Sequence, residues 1–112
     1  MKYVLLLYHE AWPVHPDLEG IQLWEEYTAD LQQAGVLVDA AALELSDAAC
    51  TVRAGPDGAI TTDGPFAETK EQLGGYYILD VATREEAAAW AAKVPSVPVG
   101  GSVEFRPAME FD

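Results

Sequence analysis

The sequence predicts a single small soluble domain of the α+β class, in which two helices cover one face of an antiparallel sheet. Short β-prone runs and two amphipathic segments follow each other in the order strand, helix, strand with hairpin, strand, helix, strand. The chain has 112 residues, half of them hydrophobic. That length suffices for one core and is too short for two. We therefore expect one domain over residues 1–112.

The first half of the chain supplies a strand, a helix and a second strand. Residues 2–8 form a short apolar run that is typical of a buried strand. Asp17 can begin a helix because its carboxylate accepts amide hydrogens of the first turn, and Gly35 can end it because glycine tolerates a left-handed backbone. Residues 36–45 are apolar and lead into the second strand. The helical spacing is carried by Leu18, Ile21, Trp24, Tyr27, Thr28, Leu31 and Ala34.

A hairpin and a polar connection follow. The runs 51–54 and 59–62 flank Gly55-Pro56-Asp57-Gly58, and Asp-Gly between two strand-like runs is a strong hairpin signal. Residues 63–73 are mostly polar, and we expect one helical turn after Pro65.

The last third repeats the strand, helix, strand pattern. Residues 75–81 carry tyrosine, isoleucine and valine and predict a central strand. Thr83 with Glu86 three residues later forms a capping box that opens the second helix, and Pro95 stops it. Residues 102–106 are the last strand.

The charge balance excludes several classes of partner. Acidic residues outnumber basic ones 19 to 6, and the formal net charge is −13. Binding of nucleic acid or of anionic membrane surfaces depends on clustered Lys and Arg, so we expect neither partner. An anionic substrate would need a local group such as Lys70 or Arg106.

The single cysteine and the first strand bear on location. Cys50 excludes an intrachain disulfide, which is compatible with a reducing cytoplasm, and its apolar surroundings favour a small strand residue. The apolar run 4–8 is too short to span a bilayer. We expect a cytoplasmic protein.

One long run of the chain resembles a known family. The stretch Asp63-Gly-Pro-Phe-Ala-Glu-Thr-Lys-Glu-Gln-Leu-Gly-Gly-Tyr-Tyr77 resembles the signature of the DGPF-domain proteins of the YCII-related superfamily. The similarity extends to residues 1–6, 33–37, 86–92 and 101–107. It implies a ferredoxin-like fold that pairs into a dimeric α/β barrel, and therefore a homodimer.

The resemblance also raises expectations about chemistry. YCII-type proteins are similar to enzymes that use a first-helix histidine with an aspartate near the sheet as a dyad. This sequence departs from that pattern, because residues 17–34 contain no histidine. The region Gln22 to Trp24 stands where the resemblance places the histidine. DGPF-type proteins are often associated with extracytoplasmic-function sigma factors, which implies a signalling setting.

Asp63 is the candidate catalytic residue. It precedes Gly64-Pro65 at the end of a strand and could act as a general base if burial raised its pKa. Alternatively, its carboxylate accepts amide hydrogens and holds the turn.

Four further residues are candidate ligand contacts. Glu68 and Lys70 could bind a small ligand, form an ion pair, or lie at a subunit boundary. Tyr8 and Trp12, near the end of the first strand, could line the mouth of a pocket beside Asp63. We expect the Phe66 side chain to anchor its loop in the core.

Other residues suggest weaker alternatives. His9, Glu10 and His15 could bind a divalent metal, although no tight ligand motif is present. Arg106 could clamp a carboxylate, or pair with an acid such as Glu104 or Asp80. No phosphate-binding glycine pattern occurs, so we expect no cofactor.

Two functions from different classes are consistent with these patterns. The first is a small dimeric enzyme or small-molecule binder with a polar cleft beside the DGPF motif. The second is a non-catalytic regulatory or interaction module in which the same motif is structural.

Overall fold

The structure is a computed structural model that describes residues 1–111. It contains six strands, two helices and two short 3-10 turns, at Ser46–Ala48 and Val97–Val99. In chain order the strands and helices are β1 (Lys2–His9), α1 (Leu18–Gln33), β2 (Leu37–Ala42), β3 (Cys50–Gly55), β4 (Gly58–Asp63), β5 (Gln72–Asp80), α2 (Arg84–Ala92) and β6 (Ser102–Pro107).

Four of the strands form one antiparallel sheet in the order β2-β5-β1-β6. In register, Leu5 lies opposite Tyr77 on one side and Phe105 on the other. With β3 and β4 set aside, this order and the two helix crossovers are those of the ferredoxin-like fold. The α+β class predicted from the sequence is confirmed.

Helix α1 begins and ends where the sequence predicts. The Asp17 Oδ1 atom accepts a hydrogen bond from the Gly20 amide at 2.8 Å. Gly35, just after the helix, has a φ of 72°. Tyr27 and Leu31 are the large side chains that the helix buries.

Helix α2 is shorter and is built on alanine. The Thr83 Oγ1 atom accepts a hydrogen bond from the Glu86 amide at 3.1 Å, as the capping box predicts. Ala87 and Ala91 are buried, so small side chains let the helix approach the sheet closely. Leu5 and Leu79 of the sheet are fully buried in the same core. Each such leucine stabilises the fold by about 2 kcal/mol.

The other face of the sheet carries a second apolar surface. Side chains alternate along a strand, so Val4, Leu6 and Tyr8 of β1 point away from the helices. Ile78 and Tyr76 of β5 lie opposite Val4 and Leu6. All five are half-buried in the single chain. We call these five residues the open sheet face.

Strands β3 and β4 form a separate two-stranded ribbon, which we call the hairpin arm. Gly55 pairs with Gly58 across a turn at Pro56-Asp57, as predicted. Most arm residues are exposed. The chain measures 49 × 42 × 18 Å, and its radius of gyration is 15.8 Å. A compact domain of this length has a radius of about 13 Å.

Two expectations for the connection after β4 are wrong. Residues 64–71 contain bends and no helical turn after Pro65, because none of their amides completes a helical hydrogen bond within the segment. The Phe66 side chain is 73% exposed and does not anchor the loop in the core. Instead, the backbone is held from the arm, where Thr51 Oγ1 donates to the Gly64 carbonyl at 2.7 Å and the Arg53 guanidinium donates to the Phe66 carbonyl.

Among residues 1–111, neither helix combines the length and the apolar composition that crossing a membrane requires.

Candidate functional site

A cleft of about 1050 Å³ lies between the base of the hairpin arm and one end of the open sheet face. Tyr8 contributes from the sheet, and Phe66 and Glu71 contribute from the connection after β4. Val52 and Cys50 line the opposite wall, from the arm. We call this space the motif cleft, because the DGPF motif forms part of its rim.

The motif cleft carries negative charge. Its acidic lining residues are Glu44, Glu71 and Glu104, and within the described part of the chain no Lys or Arg lines it. The Glu71 Oε1 atom accepts a hydrogen bond from Ser102 Oγ at 3.1 Å. Glu104 is paired with Arg106, whose Nε atom lies 2.9 Å from Glu104 Oε2. The cleft is therefore suited to neutral or cationic groups.

The position of Arg106 settles one alternative from the sequence. Its guanidinium pairs with Glu104, which was one of the two acids expected. The partner is two residues away on the same strand, not on a neighbouring strand. The other expected acid, Asp80, instead accepts a hydrogen bond from the Met1 amino group at 2.8 Å.

Asp63 lies beside the motif cleft and does not line it. It is the last residue of β4 and pairs with Cys50, whose Sγ atom lies 3.6 Å from Asp63 Oδ1. The Asp63 side chain is exposed, so a single chain lacks the burial that would prepare it as a general base. Cys50 is itself exposed, and it is the strand residue predicted.

The four candidate ligand contacts lie in different places. Tyr8 lines the motif cleft. Glu68 and Lys70 are exposed and lie outside the cleft lining, and Lys70 Nζ is 3.2 Å from Glu10 Oε1. Trp12 does not line the motif cleft; it lines a second cavity on the helix side of the sheet and a small pocket of about 320 Å³ that shares Gln72 and Leu73 with the motif cleft.

The path of the chain after β1 separates Tyr8 from Trp12. Tyr8 points to the open sheet face, and a register shift follows Leu7 where β1 meets β5. Trp12 then turns back, and its Nε1 atom donates to the Gln72 carbonyl at 2.7 Å. Its ring lies against Gly74, where an added Cβ atom would come within 2.1 Å of the indole.

Trp12 forms one wall of a second cavity of about 610 Å³, which we call the aromatic pocket. The pocket lies between residues 12–16, helix α1 and the adjacent ends of β2 and β5. Trp24 and Thr28 face it from one side of α1, and Tyr77 faces it from β5. Sequence reasoning did not single out Thr28 and Tyr77 as a pair. The four-residue spacing of Trp24 and Thr28 was the available signal, since such residues share a helix face.

Tyr77 and Thr28 meet at the floor of the aromatic pocket. The Tyr77 hydroxyl and Thr28 Oγ1 are 3.0 Å apart and share a hydrogen bond. Burial raises the pKa of the Tyr77 phenol, although the bond to Thr28 partly opposes this. The phenol therefore remains a neutral donor and acceptor.

The histidines and Glu10 do not form a metal site. His9 Nε2 lies 3.0 Å from the Val99 carbonyl, and His15 Nε2 lies 3.2 Å from the Pro95 carbonyl. Each imidazole is thus directed to a different backbone oxygen. Over residues 1–111, no group of three His, Cys, Asp or Glu side chains is placed to hold a metal ion.

Comparison with known proteins identifies relatives of the whole chain. A family model described as the YCII-related domain matches residues 1–112. An uncharacterized protein of Rhizobium meliloti (strain 1021) is 36% identical over 113 residues. That alignment covers 96% of this chain and 91% of the relative.

Proposed function

This chain belongs to the YCII-related family, and we propose that it is a homodimer that binds a small molecule in the motif cleft. The observation that carries the proposal is the cleft itself, about 1050 Å³ bounded by Tyr8, Phe66 and Glu71. A concave site with an apolar wall and a few convergent polar groups is the usual form of a small-molecule site.

Surface area supports the homodimer. The chain exposes 7656 Å², whereas a compact monomer of 12.1 kDa exposes about 6000 Å². The difference of about 1600 Å² per chain falls within the roughly 1000–2500 Å² per partner that obligate dimers bury. The open sheet face is the apolar surface available for this burial, because both helices pack on the other face.

The single cysteine, Cys50, is compatible with a reducing cytoplasm as the setting of this dimer.

The charge of the lining indicates which ligands the cleft accepts. Glu44, Glu71 and Glu104 lie around it, and the whole chain carries a formal charge of −13. An anion would have to approach against this field, whereas a cation would be attracted. We expect a neutral or cationic ligand whose apolar part lies against Tyr8.

A thermal-shift and NMR screen with benzylamine, benzyl alcohol and benzoate tests this proposal, because the three probes share a ring and differ in charge. Benzylamine should bind most tightly and benzoate least. Tyr8→Ala should weaken all three, and Glu71→Gln should weaken benzylamine selectively. Glu85→Gln makes the same charge change on helix α2 and should have no effect. Equal binding of the three probes, or unchanged binding by Tyr8→Ala, would contradict the proposal.

Glu68 and Lys70 are proposed to contact the ligand at the rim of the cleft, or to lie at the subunit boundary. The ion pair between Lys70 and Glu10 is exposed and contributes at most about 1 kcal/mol, so Lys70 can leave it for a ligand. Lys70→Ala would then weaken further the binding of anionic ligands such as benzoate, which is already expected to bind least, and leave the binding of benzylamine unchanged. Unchanged affinity for anionic ligands would remove Lys70 from the site.

In the catalytic version of this proposal, Asp63 acts as a general base on the bound molecule. Its place at the end of β4, next to the motif cleft, supports this role. For a ligand that the protein turns over, Asp63→Asn should abolish turnover and leave binding intact. Asp57→Asn, at the tip of the arm, is the matched control. If Asp63→Asn instead keeps turnover and lowers stability, the residue holds the turn.

The alternative function is a regulatory or interaction module linked to sigma-factor signalling. The exposed apolar side chains Val52, Ile60 and Phe66, on and beside the hairpin arm, favour it. It predicts micromolar or tighter binding to a purified extracytoplasmic-function sigma factor, and loss of that binding in Val52→Asp. An absence of binding by calorimetry would exclude that partner.

A further inference from the structure

The aromatic pocket is a second cavity on the opposite side of the sheet from the motif cleft. Its volume of about 610 Å³ lies within the roughly 300–1000 Å³ typical of ligand pockets. Among the residues that the structure describes, only Leu43 and Leu45 border both cavities. The two spaces can therefore be tested separately.

The lining of this pocket is uncharged in a strongly charged protein. Charged residues make up 22% of the chain, so eighteen lining residues would contain about four by chance. Within the part of the chain that the structure describes, none of the eighteen is Asp, Glu, Lys or Arg. A charged ligand would lose its water without gaining a partner, so the pocket disfavours it.

The indole nitrogens and the imidazole Nε2 atom in the lining are bonded to backbone carbonyls, so these side chains offer the cavity mainly apolar ring atoms. Trp12 Nε1 donates to the Gln72 carbonyl at 2.7 Å, and Trp24 Nε1 donates to the Val14 carbonyl at 3.2 Å. His15 is directed to the Pro95 carbonyl.

The hydroxyl pair of Thr28 and Tyr77 has hydrogen-bonding capacity left over. One hydroxyl hydrogen is shared between the two oxygens. The other hydrogen and the remaining lone pairs can serve a ligand.

We propose that the aromatic pocket binds an uncharged, ring-containing molecule whose single hydroxyl or carbonyl group hydrogen-bonds to the Thr28–Tyr77 pair. The rings of Trp12 and Trp24 would contact the apolar body of that molecule. Ile21 and Leu43, each 45% exposed, lie at the entrance and would be covered by it. This inference does not rest on ligand binding in the motif cleft, although Leu43 and Leu45 border both cavities and Tyr76 belongs both to this lining and to the open sheet face.

The wall formed by residues 12–16 is held in place by close packing and backbone conformation. A Cβ atom on Gly74 would come within 2.1 Å of the Trp12 ring, and one on Gly20 would come within 2.1 Å of His15 Cβ. Both glycines thus allow close packing of this wall. His15 is also held at a φ of 58°, which a non-glycine residue adopts only when its surroundings fix it.

The test uses 2-naphthol, naphthalene and 2-naphthoate, which share a ring system and differ in one group. Binding is followed by quenching of tryptophan fluorescence and by calorimetry. We expect saturable binding of 2-naphthol, and binding of 2-naphthoate at least tenfold weaker. Thr28→Val removes the hydroxyl at nearly constant volume. It should weaken 2-naphthol about fivefold, the equivalent of one hydrogen bond, and leave naphthalene unchanged.

Two further variants locate the probe. Ala42 is exposed on β2 and lines the pocket, so Ala42→Phe should fill it and weaken 2-naphthol at least tenfold. Ala89→Phe adds the same ring on the exposed face of α2 and should change nothing. Circular dichroism checks that each variant is folded.

The inference is overturned if 2-naphthoate binds as well as 2-naphthol, or if Ala42→Phe leaves binding unchanged. It is equally overturned if Tyr8→Ala abolishes binding of 2-naphthol, because the probe would then occupy the motif cleft. Loss of benzylamine binding with retained 2-naphthol binding would contradict the proposed function and support this inference.

Discussion

Replacement of Leu6 by aspartate tests whether the open sheet face is the dimer interface. Leu6 lies in β1, opposite Tyr76 of β5 and Glu104 of β6. It points away from the helices, so the change leaves the core around Leu5 intact. We expect the variant chain to fold, at a cost of about 1 kcal/mol for an unfavourable strand residue.

The effect on association is expected to be much larger. A two-fold dimer contains residue 6 twice, so Leu6→Asp places two carboxylates at the interface. An uncompensated buried charge costs about 3–5 kcal/mol, so two of them cost roughly 6–10 kcal/mol. That corresponds to a dissociation constant at least about 10⁴-fold weaker.

Sedimentation velocity at micromolar concentration measures this change. The wild-type chain should sediment as a dimer and Leu6→Asp as a monomer, while both keep the same far-ultraviolet circular dichroism. Ala89→Asp adds the same charge on the exposed side of helix α2 and should remain dimeric. A Leu6→Asp variant that sediments like the wild type would refute the assignment of the interface.

Three other predictions concern stability. Thr83→Ala removes the cap of helix α2 and should lower the free energy of unfolding by about 1 kcal/mol in urea titrations; an unchanged midpoint would contradict the cap. Burial raises the pKa of Tyr27 above its ordinary value of 10, so the folded state keeps a proton that the unfolded chain releases. Stability should therefore fall as the pH rises above about 10, and Tyr27→Phe should remove part of that slope. Gly74→Ala should cost about 1–3 kcal/mol through overlap with the Trp12 ring, and the same change in a Trp12→Ala background should be nearly neutral.

The local signals in the sequence predicted the elements well, because each depends on neighbouring residues. Asp17 and Gly35 bound helix α1, Thr83 opens helix α2, and the turn at Pro56-Asp57 closes the hairpin. These residues act through backbone conformation and helix capping, and both effects depend on residue type at a single position in the sequence.

The candidate site was harder to predict, because it depends on which face of the sheet each side chain occupies. Tyr8 and Trp12 are four residues apart, yet the register shift after Leu7 and the returning loop place them in different cavities. Phe66 has a large apolar side chain of the kind that usually lies in a core. It is nevertheless exposed, because its loop is attached to the hairpin arm. Packing of this kind is set by contacts between distant segments.

The stretch that contains the DGPF motif predicted the family, but it did not show which of its residues line the cleft. Residues 63–77 indicated the family, and the YCII-related match covers residues 1–112. Within the motif, Glu71 and Phe66 line the motif cleft, while Asp63, Glu68 and Lys70 lie outside its lining. A catalytic or ligand-binding role for these last three residues stays a prediction.

Native mass spectrometry of the wild-type chain with benzylamine tests the central claim most directly, because one spectrum reports both the number of chains and the bound molecule. The account predicts a species of two 12.1 kDa chains that carries benzylamine, and loss of the added mass in Tyr8→Ala. A single chain at micromolar concentration, or a dimer whose benzylamine adduct survives in Tyr8→Ala, would contradict it.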